Sequence, residues 1–292
     1  QKQFSRNRKL YVAFVDFKKA FDSVNHNALW VVLTNAGLRE ESLMFKAIQS
    51  LYLNITAAVR SQNHDTSDHF DCSVGVKQGC ILSPQLFAIF INEMAIEINK
   101  RGKHGFQMIP NGPELFLLLF ADDLTLISHT PTGLQNQLNM LEERTKRQGL
   151  RVNADKTKIM VFRKGGFLSR KEQWTYQGNT IEVVNSYKYL GVDLSTRLSV
   201  KNIANPFTVK AKKTCFEILR YMKSIQCHDL SIFVKLFSSM IQPILLYASE
   251  IWGVTKSEVT EKVQLFALKR FLNVSLHCSN NMVYGETGRY PL

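Results

Sequence analysis

The tetrapeptide Phe120-Ala121-Asp122-Asp123 sits between two apolar runs, Leu115 to Leu119 and Leu124 to Ile127. Runs of this length and composition read as the buried strands of a tight β-hairpin, which places two neighbouring carboxylates at its tip. Such carboxylates repel each other unless something positive, most simply a divalent metal, sits between them. A second β-rich run, Tyr11 to Val15, also ends on an acid, Asp16, and continues Phe17-Lys18-Lys19-Ala20-Phe21-Asp22. Two strands that each deliver a carboxylate to one sheet edge meet the requirement of two-metal phosphoryl transfer. Each motif alone has an ordinary reading, because Asp favours turns and Asp16 could end a strand or cap a helix.

The segments between and after these motifs make the pattern specific. Gly75-Val76-Lys77-Gln78-Gly79-Cys80-Ile81-Leu82-Ser83-Pro84 reads as a Gly-punctuated loop leading into an apolar helix over 84–98. Gly149-Leu150-Arg151-Val152-Asn153-Ala154-Asp155-Lys156-Thr157-Lys158 and Tyr187-Lys188-Tyr189-Leu190-Gly191-Val192 follow. Helices are expected over 25–36, ended by Gly37 as a C-cap, and over 40–53. A hairpin is expected from 55–60 and 70–74, then a linker over 100–113 rich in Gly and Pro. Thr130-Pro131 starts a helix with an N-cap and a proline at the first helical position, and Gly149 stops it. Short strands are expected near 158–162 and 187–194. Helices near 200–225, 229–248 and 258–272 complete the reading, with a boundary near Thr196.

Composition restricts the partner and the compartment. The 292 residues carry 37 Lys and Arg against 24 Asp and Glu, a formal charge of +13. An excess of this size suits a polyanion, since nucleic acid binding releases counterions; the alternative is merely solubilising charge. Five widely spread cysteines without metal-ligand spacing point to a reducing, intracellular setting rather than a disulfide framework. No secretory signal and no uninterrupted apolar span of about 18 residues is present, so a membrane role is not expected.

In these five segments the chain resembles the reverse transcriptase of non-LTR (LINE-type) retrotransposons, over nearly its whole length. Ile241 to Gly253 is similar to that family's thumb helix, and Tyr284 to Leu292 to a segment downstream. The resemblance implies an α+β fold: a right-hand polymerase palm, an antiparallel sheet packed on helices, over 1–196, then an α-helical thumb over 197–292. Only nine residues precede the Leu10 strand, so the fingers segments that come first in the family are expected to be lacking. The implied activity is RNA-directed DNA synthesis from dNTPs on an RNA template and a DNA primer, with two Mg²⁺ ions or Mn²⁺ in their place. Action in the nucleus, for target-primed synthesis, or in the cytoplasm is implied too; the oligomeric state is not. Two rivals stand: a truncated or domesticated copy that binds nucleic acid without polymerising, and a maturase- or telomerase-like polymerase.

The same resemblance assigns residues. Asp16 and Asp122 would bridge the metals, Asp123 would support them or bind backbone at the turn, and Phe17 would offer only its carbonyl. Phe21 would gate against a 2′-hydroxyl, or else be core. Gln78 and Gly79 would contact the template base and nucleotide, since glycine allows close backbone approach. Lys156 would protonate the departing pyrophosphate, with Lys158 as competitor. Tyr187, Tyr189, Leu190 and Gly191 would form the primer grip. Lys210, Lys212, Lys213 and Arg220 would meet the nucleic-acid backbone, unless they are a solvated helix face. Asp22 reads as a cap, and Tyr247 and Trp252 as thumb core.

Overall fold

The computed structural model describes residues 9–62, 65–101, 104–107, 109, 112–169, 172–253 and 258–291. They belong to two compact units, Gln1–Asn185 and Ser186–Leu292. The division falls before the 186–195 segment rather than after it at Thr196. That segment pairs with itself and packs through Val192 on Ile203 and Ala204 of the following helix, so its contacts lie on the C-terminal side.

In the first unit β1 (Leu10–Val15), β2 (Leu117–Phe120), β3 (Asp123–Ser128), β4 (Lys158–Phe162) and β5 (Glu182–Val184) form one sheet in the order β5-β4-β1-β3-β2. The first four strands are antiparallel, as the resemblance implies, and β5 adds a short parallel edge to β4. β1 is central, and its Tyr11 to Val15 are buried. Bulky and β-branched side chains suit such a doubly covered strand. β2 departs from the expected burial: it lies at the sheet edge, so its residues alternate and Phe120 is exposed.

Among the described residues the α-helices α1 (His26–Asn35), α2 (Leu43–Ser50), α3 (Ser83–Arg101) and α4 (Pro131–Gln148) accompany the sheet. Leu86, Phe87, Phe90, Ile91, Met94 and Ile98 recur at helical spacing along α3 and bury one face in the core, as Leu134, Leu138 and Leu141 do along α4; each such side chain contributes about 1.5–3 kcal/mol. Arg144 reaches Glu93 and Glu97 at 2.7 Å each, tying α4 to α3. The Thr130 hydroxyl accepts from the Gly133 N–H at 3.0 Å, and Gly149 closes α4 at φ +75°. α2 is shorter than the expected 40–53 because Ser42 caps it, accepting from the Phe45 N–H. The 55–74 hairpin shrinks to Thr56–Ala57 paired with Phe70–Asp71, since its residues have little core to face.

Glu172 is a buried node of this unit. Its carboxylate accepts from Lys9 at 2.6 Å, from the Tyr11 hydroxyl at 2.8 Å and from the Ser169 N–H. Burial opposes ionisation here, but Lys9, the Ser169 N–H and the Tyr11 hydroxyl outweigh it and hold the carboxyl below its ordinary value of 4.5. A depressed folded pKa means that the stabilisation is present above the unfolded value and is lost as pH falls through the folded one. Glu172→Ala should therefore cost about 3 kcal/mol at neutral pH, read as a lower urea midpoint. The deficit should shrink as pH drops below about 4.5.

The second unit opens with a hairpin, β6 (Ser186–Tyr189) and β7 (Val192–Ser195). Its two turn residues, Leu190 and Gly191, both have positive φ, +46° and +79°, the pattern of a type I′ turn that matches strand twist. Helix α5 (Val200–Ser224) follows and buries Ala211, Cys215, Ile218 and Met222 along one side. The expected 229–248 helix is interrupted: α6 (Leu230–Leu236) passes through a π-turn at Phe237–Ile241 into α7 (Gln242–Leu245). Pro243 cannot donate to the preceding turn, which accounts for the break. Then come α8 (Ser249–Trp252), α9 (Glu258–Phe271) and α10 (Asn280–Thr287), the last not anticipated from sequence. No helix among the described residues is long and apolar enough to cross a membrane.

Candidate active site

The acidic hairpin has the expected form. Phe120 pairs with Asp123 across a two-residue turn, Ala121-Asp122. Ala121 takes φ +52°, a region costly for a residue with a Cβ, and strain of this kind is concentrated at functional sites. Val15 faces Leu124 in the last pair of β1 with β3, and Asp16 and Asp123 are the next residues along the two strands. Asp16 itself is pinned through its backbone. Its N–H donates to the Thr157 hydroxyl at 3.3 Å, and its carbonyl accepts from the Asn153 N–H at 2.7 Å. Phe17 bridges to Val152, and the Lys18 N–H donates to the Arg151 carbonyl at 2.7 Å. The 149–158 segment thus clamps the end of β1, a role for Asn153 and Thr157 that no sequence pattern had singled out.

Burial first, and then the charges of Asp122 and Asp16, push the Asp123 carboxyl above its ordinary value. Among the described residues no ion pair or side-chain hydrogen bond offsets them, and no group of three or more His, Cys, Asp or Glu side chains stands close enough together to hold a metal ion. Like charges without a cation hold apart. The donor set, hard carboxylate oxygens with repulsion left uncompensated, fits a hard divalent cation such as Mg²⁺.

A second group lies on the segment after Asp16. The Phe21 ring is half-buried and stacks on Phe87, with centroids 4.4 Å apart. Gln78 and Gly79 are exposed, and Gly79 takes φ +81°. Gly75 needs to be glycine twice over: φ is +93°, and a Cβ would stand 3.0 Å from the Asp22 carbonyl oxygen. Asp22 does not cap α1, because Asn25 does so by accepting from the Ala28 N–H; instead it accepts from Gln78 Nε2 at 2.7 Å. Lys156 is exposed on a turn, whereas its competitor Lys158 is engaged by Glu182 at 2.6 Å.

In the second unit the candidate grip residues Tyr187, Tyr189, Leu190 and Gly191 all lie on the β6–β7 hairpin. The Tyr247 hydroxyl donates to the Leu190 carbonyl at 2.7 Å and would meet a Cβ on Gly191 at 3.3 Å. Tyr247 is 48% exposed, so it is a latch on this turn and not the core residue the sequence suggested. The Trp252 side chain lies outside the described residues. Lys210, Lys212, Lys213 and Arg220 are exposed along α5. Arg220 pairs with Glu217, and Lys212 lies 5.7 Å over the Phe266 ring.

The described structure is thus an α+β sheet with acids at the ends of two neighbouring strands, followed in the chain by a helical unit. Residues 1–194 match the family model described as "Reverse transcriptase (RNA-dependent DNA polymerase)", and the chain belongs to that family. It is 25% identical over 287 residues to the Pol polyprotein of the R2 element of Popillia japonica, covering 94% of this chain and 44% of that one. To the RNA-directed DNA polymerase of the mobile element jockey of Drosophila melanogaster it is 24% identical, covering 90% of this chain and 28% of that one. To an R2 polyprotein of Nasonia vitripennis it is 30% identical over 210 residues, 69% of this chain and 19% of that one. The chain spans less than half the length of these relatives. A solved Candida albicans telomerase, in complex with a fragment of telomeric RNA, shares the fold at a TM-score of 0.50 and 11% identity, over 100% of this chain and 53% of that one.

Proposed function

We propose that this chain is the catalytic part of an RNA-directed DNA polymerase of a non-LTR retrotransposon, extending a DNA primer on an RNA template with dNTPs in the nucleus. The observation that carries this is the pairing of β1, which ends next to Asp16, with β3 of the β2–β3 hairpin, whose turn carries Asp122 and Asp123. Asp16 and Asp122 would hold the metals, aided by the Phe17 carbonyl, while Asp123 would support the pair. When bound, Mg²⁺ or Mn²⁺ lowers the pKa of the primer hydroxyl and neutralises the triphosphate. The rest is positioning, where much of the rate arises. Phe21 bars a 2′-hydroxyl, and Gln78 with Gly79 contacts the nascent base pair. Lys156 donates a proton to pyrophosphate, since Lys158 is engaged by Glu182. The Tyr187–Gly191 turn grips the primer, and Lys210, Lys212, Lys213 and Arg220 meet phosphates.

The test is extension of a DNA primer annealed to RNA by the unaltered chain, with each dNTP and rNTP in Mg²⁺. Template-directed dNTP incorporation that stops with chelator is expected; its absence both from this chain and from the chain with the family's fingers segments joined ahead of it would overturn the proposal. In the same assay Phe21→Ala should raise ribonucleotide use relative to deoxynucleotide by about tenfold or more, through loss of a steric exclusion. An unchanged ratio would make Phe21 simply the partner of Phe87.

A further inference from the structure

We infer that Asp22 is a positioning residue for Gln78, fixing which end of its amide faces the nucleotide and template; this rests on the polymerase reading above. Two strands of chain are stitched together here. The Gly75 N–H donates to the Val24 carbonyl at 2.8 Å and the Val76 N–H to the Phe21 carbonyl at 2.9 Å. A His26 ring nitrogen stands 2.7 Å from the Gly75 carbonyl oxygen, and Gly75 packs so closely on Asp22 that a Cβ there would stand 3.0 Å from the Asp22 carbonyl oxygen. The backbones of the gate segment and of the Gln78 loop are therefore tied to each other by two hydrogen bonds. Across that seam the Asp22 carboxylate accepts from Gln78 Nε2 at 2.7 Å.

The chemistry of the two groups sets the consequence. An ionised carboxylate only accepts, whereas a glutamine amide has one end that donates and one that accepts. Asp22 can bind only the NH₂ end, so the amide cannot flip without breaking the bond. Gln78 Oε1 is thereby turned away from Asp22 and offered as an acceptor, suited to an N–H of a base or an O–H of a sugar and not to a phosphate oxygen. An exposed glutamine without such a partner would sample many rotamers and both amide orientations. Phe21, the residue before Asp22, is joined to the same loop, so sugar exclusion and amide orientation share one support.

The experiment has two arms, both on the full chain. In the first, the Gln78 side-chain NH₂ signals of ¹⁵N-labelled protein are assigned by their loss in Gln78→Ala. They should move toward free-amide positions in Asp22→Ala and stay near their original positions in Asp22→Asn, whose carbonyl can still accept; thermal unfolding confirms that each variant is folded. Signals indifferent to Asp22→Ala would overturn the inference. In the second arm, Asp22→Ala should lower kcat/KM for the correct dNTP by about tenfold, mainly through KM. Asp22→Asn should restore most of it, and the Asp22→Ala/Gln78→Ala double variant should be no worse than Gln78→Ala alone, as expected when one residue acts through the other. Multiplying effects would overturn the inference. Failure to extend any primer, both by this chain and by the chain with the family's fingers segments joined ahead of it, would count against the polymerase reading, while the amide signals would still decide whether Asp22 holds Gln78.

Discussion

Asp16→Asn or Asp122→Asn should lower primer extension by at least about a thousandfold, equivalent to roughly 4 kcal/mol of transition-state stabilisation, while template-primer affinity stays within about twofold. Asparagine preserves the size of each side chain and removes the charge that a divalent ion needs. Asp123→Asn should be milder if that residue supports the pair without bridging it. A second readout separates this from damage to the fold. The Asp123 carboxyl is pushed up in part by Asp122, so Asp122→Asn relieves a repulsion and should leave the protein at least as resistant to thermal unfolding as before. Sites arranged for chemistry commonly trade stability for it. Metal-dependent extension that survives both substitutions would overturn the assignment, and a lowered unfolding temperature would show that the loss of activity was structural.

Binding of an RNA/DNA template-primer should weaken steeply with salt. Four phosphate contacts, one each from Lys210, Lys212, Lys213 and Arg220, correspond to a slope of about −3.6 in log K against log salt on a B-form duplex. Affinity would then fall by roughly a hundredfold between 50 and 200 mM salt. Replacing the four by alanine should remove most of that slope and weaken all sequences alike, because phosphate contacts carry no base information. Arg220 is shared with Glu217 and Lys212 with the Phe266 ring, so Lys210 and Lys213 should account for more of the slope. Filter binding across a salt series measures it. A slope unchanged in the fourfold variant would return the α5 cations to the role of a solvated face.

The α+β class and the strand ends that carry the acids were legible in the sequence. Asp16, Asp122 and Asp123 were readable because an acid at the end of an apolar strand has few structural reasons to be there, and the register of β1 against β3 then brings the strand ends together. The α4 helix was equally plain, since Thr130, Pro131 and Gly149 mark its limits locally. Contacts that depend on residues far apart were not readable. Asp22 looked like a cap because caps are set by neighbours, whereas its partner Gln78 is 56 residues away. The parallel edge β5 and the Glu172 node depend likewise on distant pairings. Tyr247 looked like core because aromatic residues usually are, but the Leu190 carbonyl it serves belongs to a turn whose shape is set elsewhere.

The central place of β1 has a consequence for how the chain reaches its native state. β1 leaves the ribosome long before either neighbour, for Tyr11 pairs with Ser128 on one side and Val161 on the other, each more than a hundred residues later. Until both arrive, a short stretch of almost wholly apolar, β-prone sequence has nothing native to pair with. Closing such long loops is slow, and the waiting strand is open to pairing with other chains. The surrounding charge then acquires a use during synthesis: Lys18 and Lys19 follow the strand almost immediately, the flanking charge that keeps sticky segments of nascent chains apart. Neutralising Lys18 and Lys19 would accordingly show its effect first in the soluble yield of newly made protein, and only secondarily in the stability of molecules that have already folded.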